Sequence, residues 1–255
     1  MEEKRKEFKN PPVIESWIEF EINLTDESVL WSEDIAKELI KKHFPDFKTV
    51  DFFGLAQVTV DPKTRAISAT GLSFDRVKAF TETRDRCVQA ARNMLVFNHI
   101  KKDTWPKFEE RRDQAFDALD KYLEFRQLNK LRTVALHYRD MVQIPKDNKG
   151  MIQLEDYFTI CPKVPEDRFG ALSNFTFMLE LPNIYKSANT LLAVGSDPSQ
   201  KSSETHYRFI MDWHLTPKQE ITDVDTSKKW LHDAHDVNYD TFVAAFTKKG
   251  LALFS

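Results

Sequence analysis

Four groups of residues in this 255-residue chain have the types and spacing that chemistry requires. Glu19 and Glu21 alternate within a stretch whose polar positions recur every second residue, so both carboxylates point to one side of a strand. Such a pair can hold a divalent cation, which neutralises phosphate charge and so suits a phosphorylated ligand. A phosphate tunnel would also want a Lys two residues on, where Asn23 stands, and inward basic residues, for which Arg86, Arg92, Arg132, Arg139 and Arg208 are scattered candidates. The plain alternative is the wet face of an antiparallel sheet.

His232 and His235 lie three apart on a helical stretch, the spacing at which two imidazoles share a helix face and can ligate a metal. His214 or Asp212 would have to supply a third ligand. Otherwise the pair reads as hydrogen-bonded polar residues at a helix boundary. Tyr138 and Asp140 fall on the apolar face of a long strand, where a carboxylate needs a partner. Arg112 would make a structural ion pair with it; the functional alternative is a ligand contact or a general base in a cleft. Arg84, Arg86, Arg92, Lys101 and Lys102, continued by Arg111 and Arg112 with His99 and Trp105 between them, could follow a nucleic-acid backbone while an aromatic ring stacks on bases. Glu82, Asp85, Asp103, Glu109, Glu110 and Asp113 interrupt this run, as they do on ordinary solvated surfaces.

The elements that must position these groups are legible from periodicity. Residues 1–9 read as a charged, frayed tail. Over Val13–Leu24 the residues Ile14, Ser16, Ile18, Phe20, Ile22 and Leu24 alternate with Glu15, Glu19, Glu21 and Asn23, predicting a half-buried strand. Ser32 caps a helix to Phe44 that buries Ile35, Ala36, Leu39 and Ile40 and stops at Pro45. Strands are expected over 49–60, 65–70, 73–82, 86–91 and 94–100. Asp103 or Thr104 then caps a helix from about Pro106 to Phe125 with Phe108, Arg112, Phe116, Leu119 and Leu123 on one stripe. A strand over Leu131–Ile144, a loop with a short element over Leu154–Phe158, and strands over Phe169–Leu181, Ala188–Val194 and Thr205–Leu215 follow. Residues 196–203 read as a polar hairpin tip, and a last helix starts at Asp225 or Thr226 and carries a break at Asn238. The Phe-rich strands around Phe175, Phe177, Phe209 and Trp213 read as core, with cross-strand aromatic pairs. The expected fold class is α+β: a single domain over 10–255, with a strongly curved, mostly antiparallel β-sheet packed against two or three long helices.

Composition limits the function. Lys plus Arg number 37 against 40 Asp plus Glu, so no global basic field drives nucleic-acid binding. Only 6 Gly are present, which argues against phosphate-cradling loops. Cys87 and Cys161 form no C-x-x-C pair and read as inert thiols. No apolar run has the length of a membrane span, and the charged start is no secretory signal, so the expected location is a reducing cytoplasm. No cofactor is implied.

A series of landmarks runs along the chain: Asn10-Pro11-Pro12-Val13-Ile14-Glu15, Val88-Gln89, Phe97-Asn98, Trp105-Pro106-x-Phe108-Glu109, Leu136-His137-Tyr138-Arg139-Asp140, Leu154-Glu155-Asp156-Tyr157-Phe158 with Pro162 and Pro165, Asp212-Trp213, and Leu231-His232 with Tyr239 and Phe242. In this order they resemble a sporadically distributed, functionally uncharacterised family of bacterial and archaeal proteins with an N-P-P-V-x-E opening. His137 and Asp140 depart from the Arg and Asn typical of that family. The resemblance implies a single-domain cytosolic prokaryotic protein, distributed patchily as mobile or antiviral defence-linked genes are, and carries no catalytic residues. With no catalytic constellation in view, the expected function is non-enzymatic: a cytosolic accessory protein, a subunit of a bacterial defence or toxin-control module. Its partner would be a protein encoded nearby or a second copy. The alternatives are a tunnel protein for a phosphorylated ligand, built on Glu19 and Glu21, and a nucleic-acid-binding accessory subunit.

Overall fold

The computed structural model describes residues 8–24, 30–60, 67–102, 105–128, 130–148, 150–162, 175–185, 187–197 and 205–255. Among the described residues nine strands share one sheet: β1 (Val13–Ile22), β2 (Phe47–Val60), β3 (Ile67–Thr81), β4 (Arg86–Ala91), β5 (Met94–Ile100), β6 (Leu131–Pro145), β7 (Thr176–Tyr185), β8 (Ala188–Ser196) and β9 (His206–Pro217). Their order is β2-β3-β4-β5-β1-β6-β9-β8-β7. The ladders β2–β3, β3–β4, β4–β5, β6–β9, β9–β8 and β8–β7 are antiparallel, as hairpin connections dictate. The order has two ends, β2 and β7, so the sheet does not close on itself. The helices among the described residues are α1 (Glu33–His43), α2 (Phe108–Arg126), α3 (Val224–Ala244) and the short α4 (Lys248–Ala252), with a 3₁₀ turn over Leu154–Asp156. No helix among the described residues is long and apolar enough to cross a membrane.

The chain forms two compact units. One comprises Trp17–Ala135 and Glu220–Lys229; the other comprises Met1–Ser16, Leu136–Gln219 and Trp230–Ser255. In the first, Ser32 caps α1 by accepting from the Ile35 N–H at 3.3 Å, and α1 buries Ala36, Leu39 and Ile40 on the side that packs on β3. The helix α2 packs on β5, with Phe116 edge-on to Phe20 at 5.1 Å. The Tyr122 hydroxyl at its far end donates to the carbonyls of Ala91 and Arg92, at 2.7 and 2.9 Å, tying α2 to the β4–β5 turn. Residues 103–104, expected to cap α2, lie outside the described residues; Lys107 occupies the cap and makes no side-chain cap bond. The two strands expected over 65–70 and 73–82 are one, β3, whose long ladder to β2 absorbs three irregularities in register, at Phe47/Thr49, Phe53/Gly54 and Ala56/Gln57. In β1, Ser16, Ile18, Phe20 and Ile22 are buried as expected, but at its start Val13 is buried in place of Ile14, so the alternation slips between Val13 and Ser16.

In the second unit, Tyr138, Asp140, Val142 and Ile144 of β6 stand opposite Trp213, Met211, Phe209 and Tyr207 of β9. Leu192 and Val194 of β8 extend this buried face. The helix α3 covers it. Its first turn is fixed by Asp223, whose carboxylate accepts from the Thr226 N–H at 2.7 Å, and the helix starts at Val224, one to two residues before the expected Asp225 or Thr226. The helix runs through Asn238 without the expected break. Phe158, Phe242, Phe246, Phe254 and Phe8 form a contiguous ring cluster, and Phe158 meets Phe209 edge-on at 5.8 Å, so α4 and the Leu154–Phe158 segment lie on the same side as α3. Residues 163–174 and 198–204, which include the expected strand start at Phe169 and most of the hairpin tip, lie outside the described residues.

Candidate functional site

Strand alternation sends every second residue of β6, β9, β8 and β7 away from α3. The β6–β9 register pairs His137 with His214, Arg139 with Asp212, Met141 with Ile210 and Gln143 with Arg208 on this face. Across β9–β8, Asp212 stands beside Ala193 and Ile210 beside Gly195; across β8–β7, Ala193 stands beside Met178 and Gly195 beside Thr176. Of these, Arg139, Met141, Thr176, Ala193, Gly195, Arg208, Ile210 and Asp212 line a depression of about 510 Å³, together with Ile14 of β1 and Ser196 and Asp197 at the end of β8. Its floor is apolar, from Ile14, Met141, Ile210 and Ala193, and Gly195 keeps it low. A Cβ on Gly195 would meet Thr176 Oγ1 at 2.8 Å and the Phe175 carbonyl at 3.2 Å.

Two ion pairs frame the floor. The Arg139 guanidinium donates from Nε to Asp212 Oδ1 at 2.6 Å and from Nη2 to Asp212 Oδ2 at 3.1 Å, a two-point fork. Arg208 Nε lies 3.4 Å from Asp197 Oδ2, and Asp197 is buried at the end of β8. The hydrogen bonds to Asp212, with the charges of Asp212 and Glu15, strengthen the hold of Arg139 on its proton against a smaller opposing effect of burial. Beside this pair the rings of His137 and His214 lie 3.9 Å apart at 31°. Burial pushes both imidazoles below their ordinary range, and the neighbouring ring adds to the effect at His137, so both are neutral at neutral pH. The two guanidiniums are matched by two carboxylates. This face therefore suits recognition through apolar contact and directed hydrogen bonds.

The other residues singled out from sequence fall elsewhere. Tyr138 and Asp140 are on the α3 side. The Tyr138 hydroxyl is 2.7 Å from His235 Nδ1, and Asp140 Oδ2 accepts from the Trp213 indole N–H at 3.0 Å. The guanidinium of Arg112, suggested as the Asp140 partner, instead donates to its neighbour Asp113 at 3.0 Å. His235 is thus turned to Tyr138, while His232 Nε2 lies 3.9 Å from Asp236 one turn on. No group of three or more His, Cys, Asp and Glu is placed to hold a metal ion among the described residues. Glu21 receives Arg132 Nη1 at 2.7 Å, and Arg132 also donates to Glu220 at 2.9 Å. Burial pushes the Glu19 carboxyl up, the charge of Glu21 adds to this, and Arg76 opposes it.

The basic residues divide. Arg84, at φ 55° in the β3–β4 turn, lies over the Phe80 ring at 5.2 Å, and Arg86 stands opposite His99. The Ile100 N–H donates to the Asp85 carbonyl at 2.8 Å, which brings Lys101 and Lys102 to the same end of the sheet. Arg92 sits at the other end, in the β4–β5 turn. Arg111 is buried, with its guanidinium over Trp105 at 4.6 Å and Phe108 at 5.5 Å, so the indole meets a cation of its own chain. His99 is hydrogen-bonded to Gln114 at 3.0 Å and is pushed down to about 4, first by burial, with the charges of Arg111 and Arg86 contributing.

Sequence reading named Arg139, Arg208 and Asp212 only as scattered cations and a spare metal ligand. The signal that unites them is the odd-numbered set of β6 set against the even-numbered set of β9, and reading it requires the register. No family model matches the chain, and no curated protein matches it.

Proposed function

We propose that this chain is a non-enzymatic binding protein that holds a partner polypeptide on the face of β6, β9, β8 and β7 turned away from α3. One observation carries the reading: an apolar-floored depression of about 510 Å³ framed by the pairs Arg139–Asp212 and Arg208–Asp197. An apolar centre with a hydrogen-bonding, ion-paired rim is the anatomy of a protein-binding patch. The Arg fork of Arg139 adds orientation, since a planar guanidinium binds carboxylate or carbonyl oxygens along fixed directions. A cytoplasmic setting, and service as an accessory subunit in a defence or toxin-control module, are the parts of this proposal that rest on the resemblance of the sequence landmarks.

The test is co-expression with the products of the adjacent genes. A stoichiometric co-purifying polypeptide is expected with the native chain, and its loss is expected on Ile210→Asp, which puts a charge on the floor. Retention of that polypeptide by a folded Ile210→Asp chain, or its absence with the native chain at any expression level, would count against the proposal.

A second reading has its own observation. The β3–β4 turn and the end of β5 gather Arg84, Arg86, Lys101 and Lys102 at one end of the sheet, near the Phe80 ring. That supports a single-stranded nucleic acid held by backbone charge and stacking. Its test is oligonucleotide affinity that falls steeply with salt and drops in Arg84→Ala and Arg86→Ala. The phosphorylated-ligand alternative draws less support, because Glu21 already receives Arg132.

A further inference from the structure

We propose that the β2–β3 hairpin is an association arm, and that the free edge of β2 pairs antiparallel with the same strand of a second copy of this chain. This surface belongs to the compact unit that does not carry the depression, and it goes beyond the reading above. The ladder between β2 and β3 runs from Phe47–Thr81 to Val60–Ile67, but β4 pairs with β3 only over Arg76–Phe80. The helix α1 meets the hairpin at the limit of that support. There the Trp31 indole N–H donates to the Asp75 carbonyl at 2.8 Å, and its ring lies 5.8 Å from that of Phe74. Beyond this point Gly54–Val60 and Ile67–Phe74 form a two-stranded ribbon, with no third strand beside it among the described residues. A ribbon of two strands is marginal alone and gains stability when strands are added to it.

The ribbon offers a backbone edge, so what completes it is an extended chain. Four features single out the same strand of a second copy. First, the edge is regular. At Phe53/Gly54 and Ala56/Gln57 the extra residues are Asp75 and Gly71 of β3, which leaves β2 unbulged from Thr49 to Val60. Second, it carries no device against pairing with its own kind. Phe52–Val60 has no proline, and neither this run nor Ile67–Phe74 contains Asp, Glu, Lys or Arg, while the rings of Phe52 and Phe53 stand exposed. Such an edge has no sign with which to select a foreign strand and no charge with which to repel its copy. Third, the faces match. Alternation puts the pairs Ala56–Leu72, Val58–Ala69 and Val60–Ile67 on one face of the ribbon, and Gln57–Thr70 and Thr59–Ser68 on the other. A two-fold axis normal to the ribbon keeps each face on its own side and sets even-numbered positions of β2 opposite even-numbered ones. Apolar positions therefore meet apolar positions, and the merged ribbons share one apolar face. With the axis through Gly54 or Leu55 nearly the whole regular run is paired, and Asp51 stands opposite Gln57 or Thr59 rather than another charge. Fourth, the other end of the sheet is guarded. There β7 carries Glu180 and Pro182, and its ladder to β8 breaks register after Leu181. One open edge and one guarded edge give a closed dimer rather than a filament.

Sedimentation equilibrium of the native chain, of Gln57→Lys and of Val58→Lys, each checked for fold by circular dichroism, tests the assignment. The native chain is expected as a dimer in the micromolar range. A lysine on either face of the edge strand is expected to weaken association by about tenfold or more, Val58→Lys the more strongly because it breaks the shared apolar face. Oxidative cross-linking then reads the pairing directly. Only the residue on a two-fold axis faces its own copy, so in a Cys161→Ser background one of Gly54→Cys and Leu55→Cys is expected to form a disulfide-linked dimer, whereas Thr59→Cys is not. A native chain that is monomeric throughout overturns the proposal. So does a dimer that both lysine variants leave unchanged, or one in which neither axis cysteine cross-links. A monomeric native chain whose folded Val58→Lys form loses a co-purifying gene product would make that product's strand the occupant and overturn the assignment to a second copy.

Discussion

Asp140 shows how a residue that looks reactive in sequence is used structurally. It sits on a buried sheet face and accepts the indole proton of Trp213 at 3.0 Å, in a core where an unmet N–H is costly. Asp140→Ala is expected to lower stability by about 1–3 kcal/mol, the range for a stranded buried donor, and to change the Trp213 emission. Urea denaturation followed by fluorescence checks it; an unchanged midpoint would show the bond to be immaterial. The histidines set a pH dependence at the same scale. His99 is held near 4 in the folded chain against about 6.5 when unfolded, and His137 and His214 are lowered in the same direction by burial. The unfolded chain therefore binds protons that the folded chain refuses between pH 6.5 and 4. Stability is fully present above 6.5 and falls as the pH drops through that window, by on the order of 3 kcal/mol from His99 alone. His99→Gln is expected to flatten this slope in urea titrations run from pH 7 to 4, and a slope as steep as that of the native chain would assign it to other groups.

Among the elements, β8 shows the tightest steric constraint at the proposed site. Gly195 permits the close approach of Thr176, whose Oγ1 would lie 2.8 Å from a Cβ there. Gly195→Ala is expected to cost about 1–3 kcal/mol as an overpacked position and to disturb the β7–β8 ladder, with part of the loss recovered in the double substitution with Thr176→Ala. Additive losses would place the strain elsewhere. This constraint could not be read from sequence, because a glycine in a strand states only that something approaches, not which neighbour does. Much else at this scale was legible. The spans 86–91 and 94–100 coincide with β4 and β5, and Ser32 caps α1, because short alternating runs and a capping hydroxyl are local signals. The start of α3 was placed one to two residues late, because Asp223, Asp225 and Thr226 can all open a helix and only the backbone path selects Asp223 as the residue that accepts from the first turn. The partner of Asp140 was missed for the complementary reason. Trp213 lies 73 positions away, and nothing local in β6 reports that β9 will stand beside it. The Arg139–Asp212 frame was illegible for the same cause, since both residues belong to polar faces that each look merely solvated when read alone.

For the molecule as a whole, the candidate carboxylates, histidines and cations found by spacing are mostly held by structural partners. Glu21 is held by Arg132, His235 by Tyr138 and Arg111 by the rings of Trp105 and Phe108. Among the described residues, the face of β6, β9, β8 and β7 turned away from α3 stays accessible, with an apolar centre and paired charges. The central claim is that this face is covered when the protein functions. Oxidative footprinting of the methionines tests it on the native sequence. Met178 and Met141 belong to the face, whereas Met151, 40 % exposed in the segment after β6, is the internal reference. In the complex with its partner polypeptide, compared with the chain alone, oxidation of Met178 and Met141 is expected to fall several-fold while Met151 reacts as before. Equal oxidation of Met178 in both states would contradict the account.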